Sequence, residues 1–425
     1  MLEAFFSPQS VAVIGASRDP DKLGYAVVKN LIDSGYSAKY PVYPINPKAD
    51  EILDIKAYPS VLEVQEDIEL AVVVIPYRFV PAAMKEIGEK GIKSAVIITA
   101  GFREAGQEGL EREMEVLQIA KDHNIRVIGP NCLGVIDTFS PLNASFAAAT
   151  PPQGGISFMS QSGALGTAVL DWSLAGMLGF SKFVSLGNKA DVSEIDLLQA
   201  WAEDPESKVL VAYIEGVPDG QEFVRVAREV SKKKPIVAVK SGVTQAGSRA
   251  VSSHTGSLAG SEQAYSAAFR QAGVIRAHTM EELFDYSIAF ATQPLPPGNR
   301  VAVVTNAGGP GILATDAIER AGMTLSRLES NTMQELMEFL PDAASAANPV
   351  DVLGDARADR FIKSFDKVAA DPNVDAIMVI LTPQAMTEIV ETAKGVADLS
   401  DRVDVPVVGC FMGEYAMQAG IDILN

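Results

Sequence analysis

The segment "VAVIGASRDPDKLG" at residues 11–24 decides the fold of the N-terminal region. A short β-branched run leads into a tight glycine turn and then into a stretch of helical period, which is the pattern of the first βα unit of an α/β domain. The same pattern recurs in "GISFMSQSGALG" at 155–166 and in "VAVVTNAGGPGILATD" at 301–316. The recurrence predicts three consecutive α/β domains.

The strands between these units are continuous apolar runs, such as "AVVVI", "VLVAYI" and "AIMVIL", separated by segments of helical period. Such runs are typical of parallel sheets covered by helices on both faces. Proline-rich stretches at 147–155 and 293–300 predict junctions between domains. We therefore expect domains over residues 1–150, 151–293 and 294–425.

Composition excludes several classes of protein. The chain has 425 residues and a formal net charge of −19, which argues against a nucleic-acid surface because such a surface is basic. No apolar run approaches the roughly 20 residues of a membrane span, and the N-terminus lacks the basic stretch of a signal peptide, so we expect a cytoplasmic protein. Cys132 and Cys410 form no CxxC or metal-site pattern and are predicted to be apolar packing residues.

The first glycine turn is a candidate phosphate site. It does not match the nicotinamide fingerprint, because Gly15 is followed by Ala-Ser-Arg, the next glycine is Gly24, and the second strand ends in "YPINPK" without an acid. A helix N-terminus flanked by Arg18 and Lys48 favours a nucleotide with additional phosphate, such as coenzyme A. The alternative is that both cations are solvated loop charges.

The second and third glycine turns, "SQSGALG" at 160–166 and "NAGGPG" at 306–311, place small residues at helix starts. The first N–H groups of a helix are unpaired and carry the positive end of its dipole. Two such ends directed at one spot would bind phosphate without an arginine. The alternative is ordinary tight-turn chemistry.

His254 lies among small polar residues in "SSHTGS" at 252–257. Neutral imidazole is a good nucleophile near pH 7 and needs a partner on its other nitrogen. Glu215, in "YIEGV" just past an apolar strand, is a candidate for that partner, although it could equally be a surface acid, and His254 could be an idle loop residue. His123, at a helix end before a strand, is expected to be a solvated terminus, and His278, before a capping pattern, favours a structural role.

Eight motifs together resemble the α subunit of NDP-forming acyl-CoA synthetases, which include the ADP-forming acetyl-CoA synthetases and are relatives of succinyl-CoA synthetase. They occur in the order that this family shows, across essentially the whole chain. The motifs are "SVAVIGAS", "YPINPKADEILDIKAYPSV", "IITAGFREAG", "GPNCLG", "SQSGALG", "SSHTGSLAG", "NAGGPGILATD" and "NPVDVLGDA".

The resemblance implies an N-terminal Rossmann-like CoA-binding domain followed by two flavodoxin-like parallel-sheet domains, the first bearing a phosphohistidine and the second a small ligase-CoA domain. It implies a catalytic His254 steadied by Glu215. The CoA site it implies contains Gly15, Ser17, Arg18, Lys48, Ile75, Pro76, Thr99, Gly101 and Asn131. The phosphate site it implies contains Ser162, Gly163, Ala164, Gly308 and Gly309.

The implied reaction converts acyl-CoA, ADP and phosphate into acid, CoA and ATP, reversibly, through an acyl phosphate and a phosphohistidine. A β subunit with an ATP-grasp domain would bind ADP or ATP and Mg²⁺, in an α2β2 assembly. The alternative is a non-catalytic CoA-binding or acyl-CoA-binding regulatory protein. The acyl group, the choice between ADP and GDP, and the direction stay open. The family usually continues beyond "GIDILN", so we expect either a truncated version of the chain or a third domain whose edge is incomplete.

Overall fold

The computed structural model describes residues 2–174, 178–244, 246–247 and 262–424. The chain divides into two compact units, Met1–Ala291 and Thr292–Asn425. Among the described residues, the first unit contains a five-stranded sheet, a seven-stranded sheet and a short hairpin, and the second contains one five-stranded sheet. The predicted α/β class with consecutive parallel-sheet domains is confirmed.

The first sheet follows from the opening βα unit. The strands of this region are β1 (Val11–Ile14), β2 (Val42–Ile45), β3 (Glu51–Ile52), β4 (Ile55–Lys56), β5 (Leu70–Val73), β6 (Ser94–Ile97) and β7 (Arg126–Ile128). The helices are α1 (Leu23–Asp33), α2 (Val80–Lys90) and α3 (Gln107–Asp122). The sheet order is β2-β1-β5-β6-β7, all parallel, while β3 and β4 pair as the hairpin. The strand order reverses between β1 and β5, where ligand crevices form in open α/β sheets.

The second sheet is formed by β8 (Gly134–Asp137), β9 (Leu142–Ser145), β10 (Gln153–Ser160), β11 (Phe180–Ser185), β12 (Val209–Ile214), β13 (Ile236–Lys240) and β14 (Ile275–Ala277). Its helices are α4 (Gly163–Trp172), α5 (Glu194–Trp201), α6 (Gly220–Val230), α7 (Glu262–Ala272) and α8 (Met280–Thr292). The order is β14-β13-β12-β10-β11-β8-β9, and it reverses between β10 and β12.

Strands β8 and β9 differ from the rest of the second sheet. They run antiparallel, with β8 paired to β11 and β9 paired to β8. The expected first domain, 1–150, includes these residues, whereas their hydrogen bonds place them in the second sheet. The sheets therefore divide the chain ahead of Gly134, and the bound at residue 150 stays a prediction.

Polar contacts join the two sheets of the first unit. Asn30 on α1 donates its side-chain amide to the carbonyls of Ser145 and Ala147, at 2.8 Å each. Arg126 on β7 donates to the carboxylates of Asp191 and Asp196, at 2.9 Å each. Such bonds are directional, so they fix how the loops of one sheet meet those of the other.

The second unit contains β15 (Arg300–Thr305), β16 (Thr324–Leu325), β17 (Val350–Asp351), β18 (Ala376–Leu381) and β19 (Val407–Phe411). Its helices are α9 (Gly308–Arg320), α10 (Ser330–Met337), α11 (Ala358–Ala369), α12 (Ile389–Ser400) and α13 (Gln418–Leu424). The order is β16-β15-β18-β19, with β17 also beside β15, and all pairs are parallel. Here the reversal lies between β15 and β18.

Two smaller predictions have different outcomes. Cys132 is buried, but Cys410 is exposed, so its prediction as a packing residue is wrong. The reason is that β19 is an edge strand and its central residues are exposed. The capping pattern after His278 is present, since the N–H of Glu282 donates to Thr279 Oγ1 at 3.1 Å. None of the described helices combines the length and apolar character that crossing a membrane requires.

Candidate active site

A cleft of about 1400 Å³ opens in the first unit, lined by the loops that follow β1, β5, β6 and β7 and by those that follow β10, β11 and β12. These loops follow the carboxyl ends of strands, and they include the loops of β1, β5, β10 and β12 at the two order reversals, where diverging loops leave room for a ligand. The predicted site residues that line it are Gly15, Ser17, Ile75, Pro76, Thr99, Asn131, Ser162, Gly163, Ala164 and Glu215.

The turn at Gly15 requires glycine. Its φ is +97°, and a Cβ at this position would lie 2.2 Å from the carbonyl oxygen of Val74. The Gly15 N–H donates to the carbonyl of Ile45 at 3.0 Å, and the Asn46 amide donates to the carbonyl of Ala16 at 2.7 Å. The turn is therefore fixed against β2 and β5 and presents bare backbone to the cleft.

The loops after β5 and β6 are fastened to each other. The Thr99 hydroxyl donates to the carbonyl of Ile75 at 2.7 Å and accepts from the Ile75 N–H at 3.2 Å. The Asn131 N–H donates to the carbonyl of Thr99 at 3.0 Å. Asn131 has a φ of +59°, a conformation that asparagine tolerates better than most residues. These contacts set a rigid, mostly uncharged wall.

The start of α4 supplies backbone donors. Ser162 caps this helix by accepting the N–H of Leu165 at 3.3 Å. Gly163 and Ala164 line the cleft, and the first N–H groups of a helix have no partner within it. Ser185 Oγ is buried without a hydrogen-bond partner among the described residues, and it lies 3.9 Å from the position that a Cβ on Gly163 would take. The helix start is thus surrounded by donors and hydroxyls, which suits an anion.

Glu215 follows β12 directly and is 7% exposed. Its N–H donates to Gln161 Oε1 at 2.8 Å. Two lysines, Lys189 and Lys240, carry charges that interact with this carboxylate. Burial lowers the pKa of both lysines, and the negative charge of Glu215 opposes that shift. The site therefore places a carboxylate and two cations in a partly dry environment.

Sequence reasoning missed several polar residues that line the cleft: Lys22, Asn46, Arg103, Glu104, Gln161, Asn188 and Lys189. Lys22 and Arg103 lie inside motifs quoted above, and Gln161 lies in "SQSGALG" directly before the N-cap Ser162, so the sequence pattern could have identified all three. Lys189, in "SLGNKADV", lies in no glycine turn that opens a helix, and nothing local marks it. The strand order of the second sheet brings the hydrogen-bond partners of Lys189 close to it.

Asn188 organises a pair of carboxylates beside the cleft. Its amide nitrogen donates to Glu104 at 2.7 Å and to Glu113 at 2.8 Å. Burial acts to raise the pKa of Glu104, but the hydrogen bonds from Asn188 and from the N–H groups of Gly101 and Phe102 lower it overall. Glu104 is therefore held as an anion.

Other predicted site residues lie elsewhere. Arg18 and Lys48 do not line the cleft, and the Arg18 guanidinium donates to the carbonyl of Lys48 at 3.2 Å on the exposed surface. Gly101, with a φ of +103°, packs against the Tyr77 ring. Gly308 and Gly309 begin α9 in the second unit. His254 lies outside the described residues.

The chemistry of the remaining lining residues narrows the reaction class. Cys132 lines the cleft, but burial raises the pKa of its thiol to about 12, so it is no thiolate nucleophile at neutral pH. Within the described ranges, no group of three or more His, Cys, Asp or Glu side chains could hold a metal ion. The groups left to act on a ligand in the cleft are the N–H donors at the helix start, the lysines and the carboxylates.

Three family models match the chain in consecutive order. A CoA binding domain matches residues 9–138, a succinyl-CoA ligase like flavodoxin domain matches 153–290, and a ligase-CoA domain matches 301–424. The class defined by fold and site is therefore that of CoA ligases.

Full-length relatives define the family further. The chain is 46% identical to the Pyrococcus furiosus acetate–CoA ligase [ADP-forming] II subunit alpha, over 100% of this chain and 93% of that protein. It is also 46% identical to the Archaeoglobus fulgidus acetate–CoA ligase [ADP-forming] I, over 100% of this chain but 60% of that longer protein. A solved structure from Ca. Korarchaeum cryptofilum, a dinucleotide forming acetyl-coenzyme A synthetase 1 in complex with phosphate and ADP, is 38% identical with a TM-score of 0.94, covering 100% of this chain and 91% of that one. The chain belongs to the α-subunit family of ADP-forming acetate–CoA ligases, which are acid–thiol ligases.

Proposed function

We propose that this chain is the subunit of an ADP-forming acyl-CoA synthetase that binds acyl-CoA and phosphate and carries a phosphoryl group on His254. The overall reaction is acyl-CoA, ADP and phosphate giving acid, CoA and ATP, reversibly. A partner subunit with an ATP-grasp domain binds ADP and Mg²⁺, and the two subunits form an α2β2 assembly. The proposal builds on the family membership and on the cleft.

One observation carries the proposal: residues expected at a CoA site and residues expected at a phosphate site line the same cleft. The loops at Gly15, Ile75 and Asn131 form one part, and the helix start at Gly163 and the carboxylate Glu215 form another. An acyl-CoA thioester and a phosphate ion must meet for the first chemical step. A shared cavity of about 1400 Å³ is large enough to hold both.

In the first step, a phosphate oxygen attacks the thioester carbonyl. The carbon–sulfur bond breaks, and the CoA thiolate leaves and takes up a proton, so that acyl phosphate and CoA are formed. The N–H groups of Gly163 and Ala164 orient the phosphate and stabilise its negative charge without adding a competing carboxylate. The rigid wall of Ile75 and Thr99 holds the pantetheine side of the substrate.

In the second step, His254 attacks the phosphorus of the acyl phosphate. The bond between phosphorus and the acyl oxygen breaks, and the acid leaves as a carboxylate. Glu215 accepts a hydrogen bond from the other imidazole nitrogen and stabilises the cationic ring. In the third step the phosphoryl group passes to ADP on the partner, which regenerates neutral imidazole. Each step depends on positioning and electrostatics more than on covalent assistance.

Intact-mass spectrometry tests the half-reaction directly. The purified chain is incubated with acetyl-CoA, several other acyl-CoAs and phosphate, beside a His254→Ala variant. We expect the mass of one phosphoryl group on the unaltered chain, labile to acid, and none on the variant. The yields across acyl-CoAs rank the acyl groups.

A silent result leads to a second arm, in which the same chain is incubated with the partner subunit and ATP. If the chain is phosphorylated under those conditions, the step that fails is phosphoryl transfer from acyl-CoA and phosphate, and not transfer between ATP and His254. Continued silence would overturn the phosphohistidine mechanism and leave a CoA-binding protein without catalysis.

A further inference from the structure

The turn Glu215–Val217 is held by side chains from other parts of the first unit, beginning with Gln161 and Tyr265. Gln161 Oε1 accepts the N–H groups of Glu215 and Gly216, at 2.8 and 3.0 Å. Gln161 Nε2 donates back to the Gly216 carbonyl at 3.0 Å. The N–H of Val217 donates to the Tyr265 hydroxyl at 2.9 Å. The position of the Glu215 backbone therefore depends on side chains distant in sequence.

Lys189 lies beneath this turn. Its ammonium donates to the Gly216 carbonyl and to both oxygens of Glu194, at 3.2 and 3.4 Å. The Glu194 carboxylate is 1% exposed and also accepts from Gln161 at 3.2 Å. Lys189 itself is 12% exposed and has a φ of +45°, unusual for a residue with a long side chain. Lys189, Glu194 and Gln161 thus form a closed network around Gly216, called here the Gly216 clamp.

We propose that Lys189 is a positioning residue that holds Glu215 in place for phosphoryl transfer, through the Gly216 clamp. The inference rests on the proposed function, in which Glu215 steadies the catalytic histidine. In this role Lys189 acts through the backbone of Gly216, while its side chain also lines the cleft.

The energetics of the network explain why loss of Lys189 would displace the turn. A buried ammonium is stable only when it is paired and hydrogen bonded, and removal of one partner leaves the other charge uncompensated. Without Lys189, the Glu194 carboxylate would remain buried next to the turn that carries Glu215. The turn would relax away from Glu194, and a displacement of about 1 Å at a catalytic group can cost about 100-fold in rate.

The network also has a specific kinetic consequence. None of the clamp contacts reaches the turn at Gly15 or the loops at Ile75 and Thr99, which hold the CoA side of the cleft. Loss of Lys189 therefore affects turnover and leaves acyl-CoA binding almost unchanged. If Lys189 served stability alone, its loss would not lower kcat while leaving KM for acyl-CoA unchanged.

The test compares Lys189→Met with Lys182→Met in the complete enzyme, assembled with its partner subunit. Lys182 is a matched control, because it lies on β11 in the same sheet, is 8% exposed and is paired with Asp204 at 2.7 Å and Asp137 at 3.3 Å, away from the cleft. We expect Lys189→Met to lower kcat for ATP formation by at least about 10-fold with KM for acyl-CoA changed less than about twofold. Lys182→Met should lower the melting temperature and leave kcat within about twofold.

A double variant distinguishes a loss of stability from a loss of positioning. Lys189→Met with Glu194→Gln removes both charges together, so no buried carboxylate is left unpaired. We expect it to recover most of the melting temperature but not kcat, because the Gly216 carbonyl still lacks its lysine. Hydrogen exchange should show faster exchange of the amides at 215–217 in both Lys189 variants and not in Lys182→Met.

The outcomes separate the two proposals. If the unaltered enzyme makes no ATP from any acyl-CoA, the proposed function fails whatever the variants do. If it does, and Lys189→Met turns over as fast as Lys182→Met or loses acyl-CoA affinity in proportion to rate, the positioning role is overturned. Unchanged exchange at 215–217 would overturn the clamp itself, independently of activity.

Discussion

The helix starts at Gly163 and Gly308 follow the same sequence pattern, but the side chains around them differ. At Gly163 the neighbours are hydroxyls, with Ser162 capping the helix and Ser185 Oγ buried and unpartnered among the described residues. At Gly308 the neighbour is a carboxylate, since Asp351 Oδ2 lies 3.1 Å from the position that a Cβ would take. Asp351 is held there by the N–H of Leu353 at 2.9 Å.

The difference shows that a glycine turn sets the backbone of an anion site but not its charge. The charge comes from the side chain at the end of the adjacent strand. The order of strands in the sheet decides which strand lies there. In the first unit β11 delivers Ser185, whereas in the second β17 delivers Asp351. A phosphate at Gly308 would meet electrostatic repulsion from Asp351. The expected phosphate contact of Gly308 and Gly309 stays a prediction, and the contrast with Gly163 is open to test.

The largest expected effect comes from giving the first helix start the charge of the second. Gly163→Asp places a carboxylate at an N-terminus, which favours the helix but competes with phosphate. We expect phosphate-dependent cleavage of acyl-CoA to slow by about 100-fold, with the melting temperature unchanged. Gly309→Asp is the matched control, because that position has open space around it. Equal losses in both variants would show that both helix starts bind phosphate, and no loss in Gly163→Asp would remove the first from the site.

A smaller effect is expected from Ser185→Ala. If the buried hydroxyl donates to phosphate, its loss should raise KM for phosphate about fivefold, the cost of one hydrogen bond. Ser173→Ala is the control, since Ser173 Oγ is also buried without a partner among the described residues but lies at the other end of α4. A rise in melting temperature with no change in KM would identify Ser185 as an unsatisfied buried group and weaken the contrast.

The smallest effect is expected from lowering the pH. Acid protonates the carboxylates of the second unit but leaves the hydroxyls around Gly163 unchanged. Arg300 donates to both oxygens of Asp375 at 2.8 Å and lowers the pKa of that carboxyl to about 2. Because the folded pKa lies below the unfolded value of 3.8, this stabilisation is complete well above pH 4 and is lost as the pH falls toward 2.

Calorimetry between pH 5 and 3, with hydrogen exchange of β15 and β18 to assign the transition, measures this loss. We expect the second unit of the unaltered chain to lose about 2 °C more than Asp375→Asn over that range. Asp316→Asn breaks an exposed pair with Arg320 and should not alter the slope. Parallel slopes in the unaltered chain and Asp375→Asn would show that the carboxyl is not held by Arg300.

The sequence predicted the three βα units because continuous apolar strands and glycine turns are local signals. It did not predict β8 and β9, because their stretch contains Asn143 and Ser145, which look like loop residues. Both are fully buried in the structure. They are satisfied locally, with Ser145 donating to Asn143 at 2.6 Å and Asn143 donating to Thr150 at 3.0 Å. Buried polar residues of this kind cannot be distinguished from exposed ones by pattern.

For the candidate site too, residues marked by a local pattern were predicted and residues that depend on non-local contacts were not. Gly15 and Ser162 were predicted from glycine turns, and both line the cleft. Arg18 and Lys48 were chosen by charge, and they lie outside it, since a charge pattern does not state where a long side chain points. Lys189 was missed because its contact with Gly216 depends on β11 and β12 lying on either side of β10, and strand order is not a local signal.

Strands β8 and β9 limit how this chain can be recombined. They lie between Asn131, which lines the cleft from the first sheet, and the helix start at Gly163, and β8 is paired to β11 while β9 is paired to β8. A chimera with its crossover inside 134–145 would set strands of one parent against β11 of another and disturb both walls of the cleft. Gene exchange that preserves activity should therefore move the two walls together, as one heritable piece.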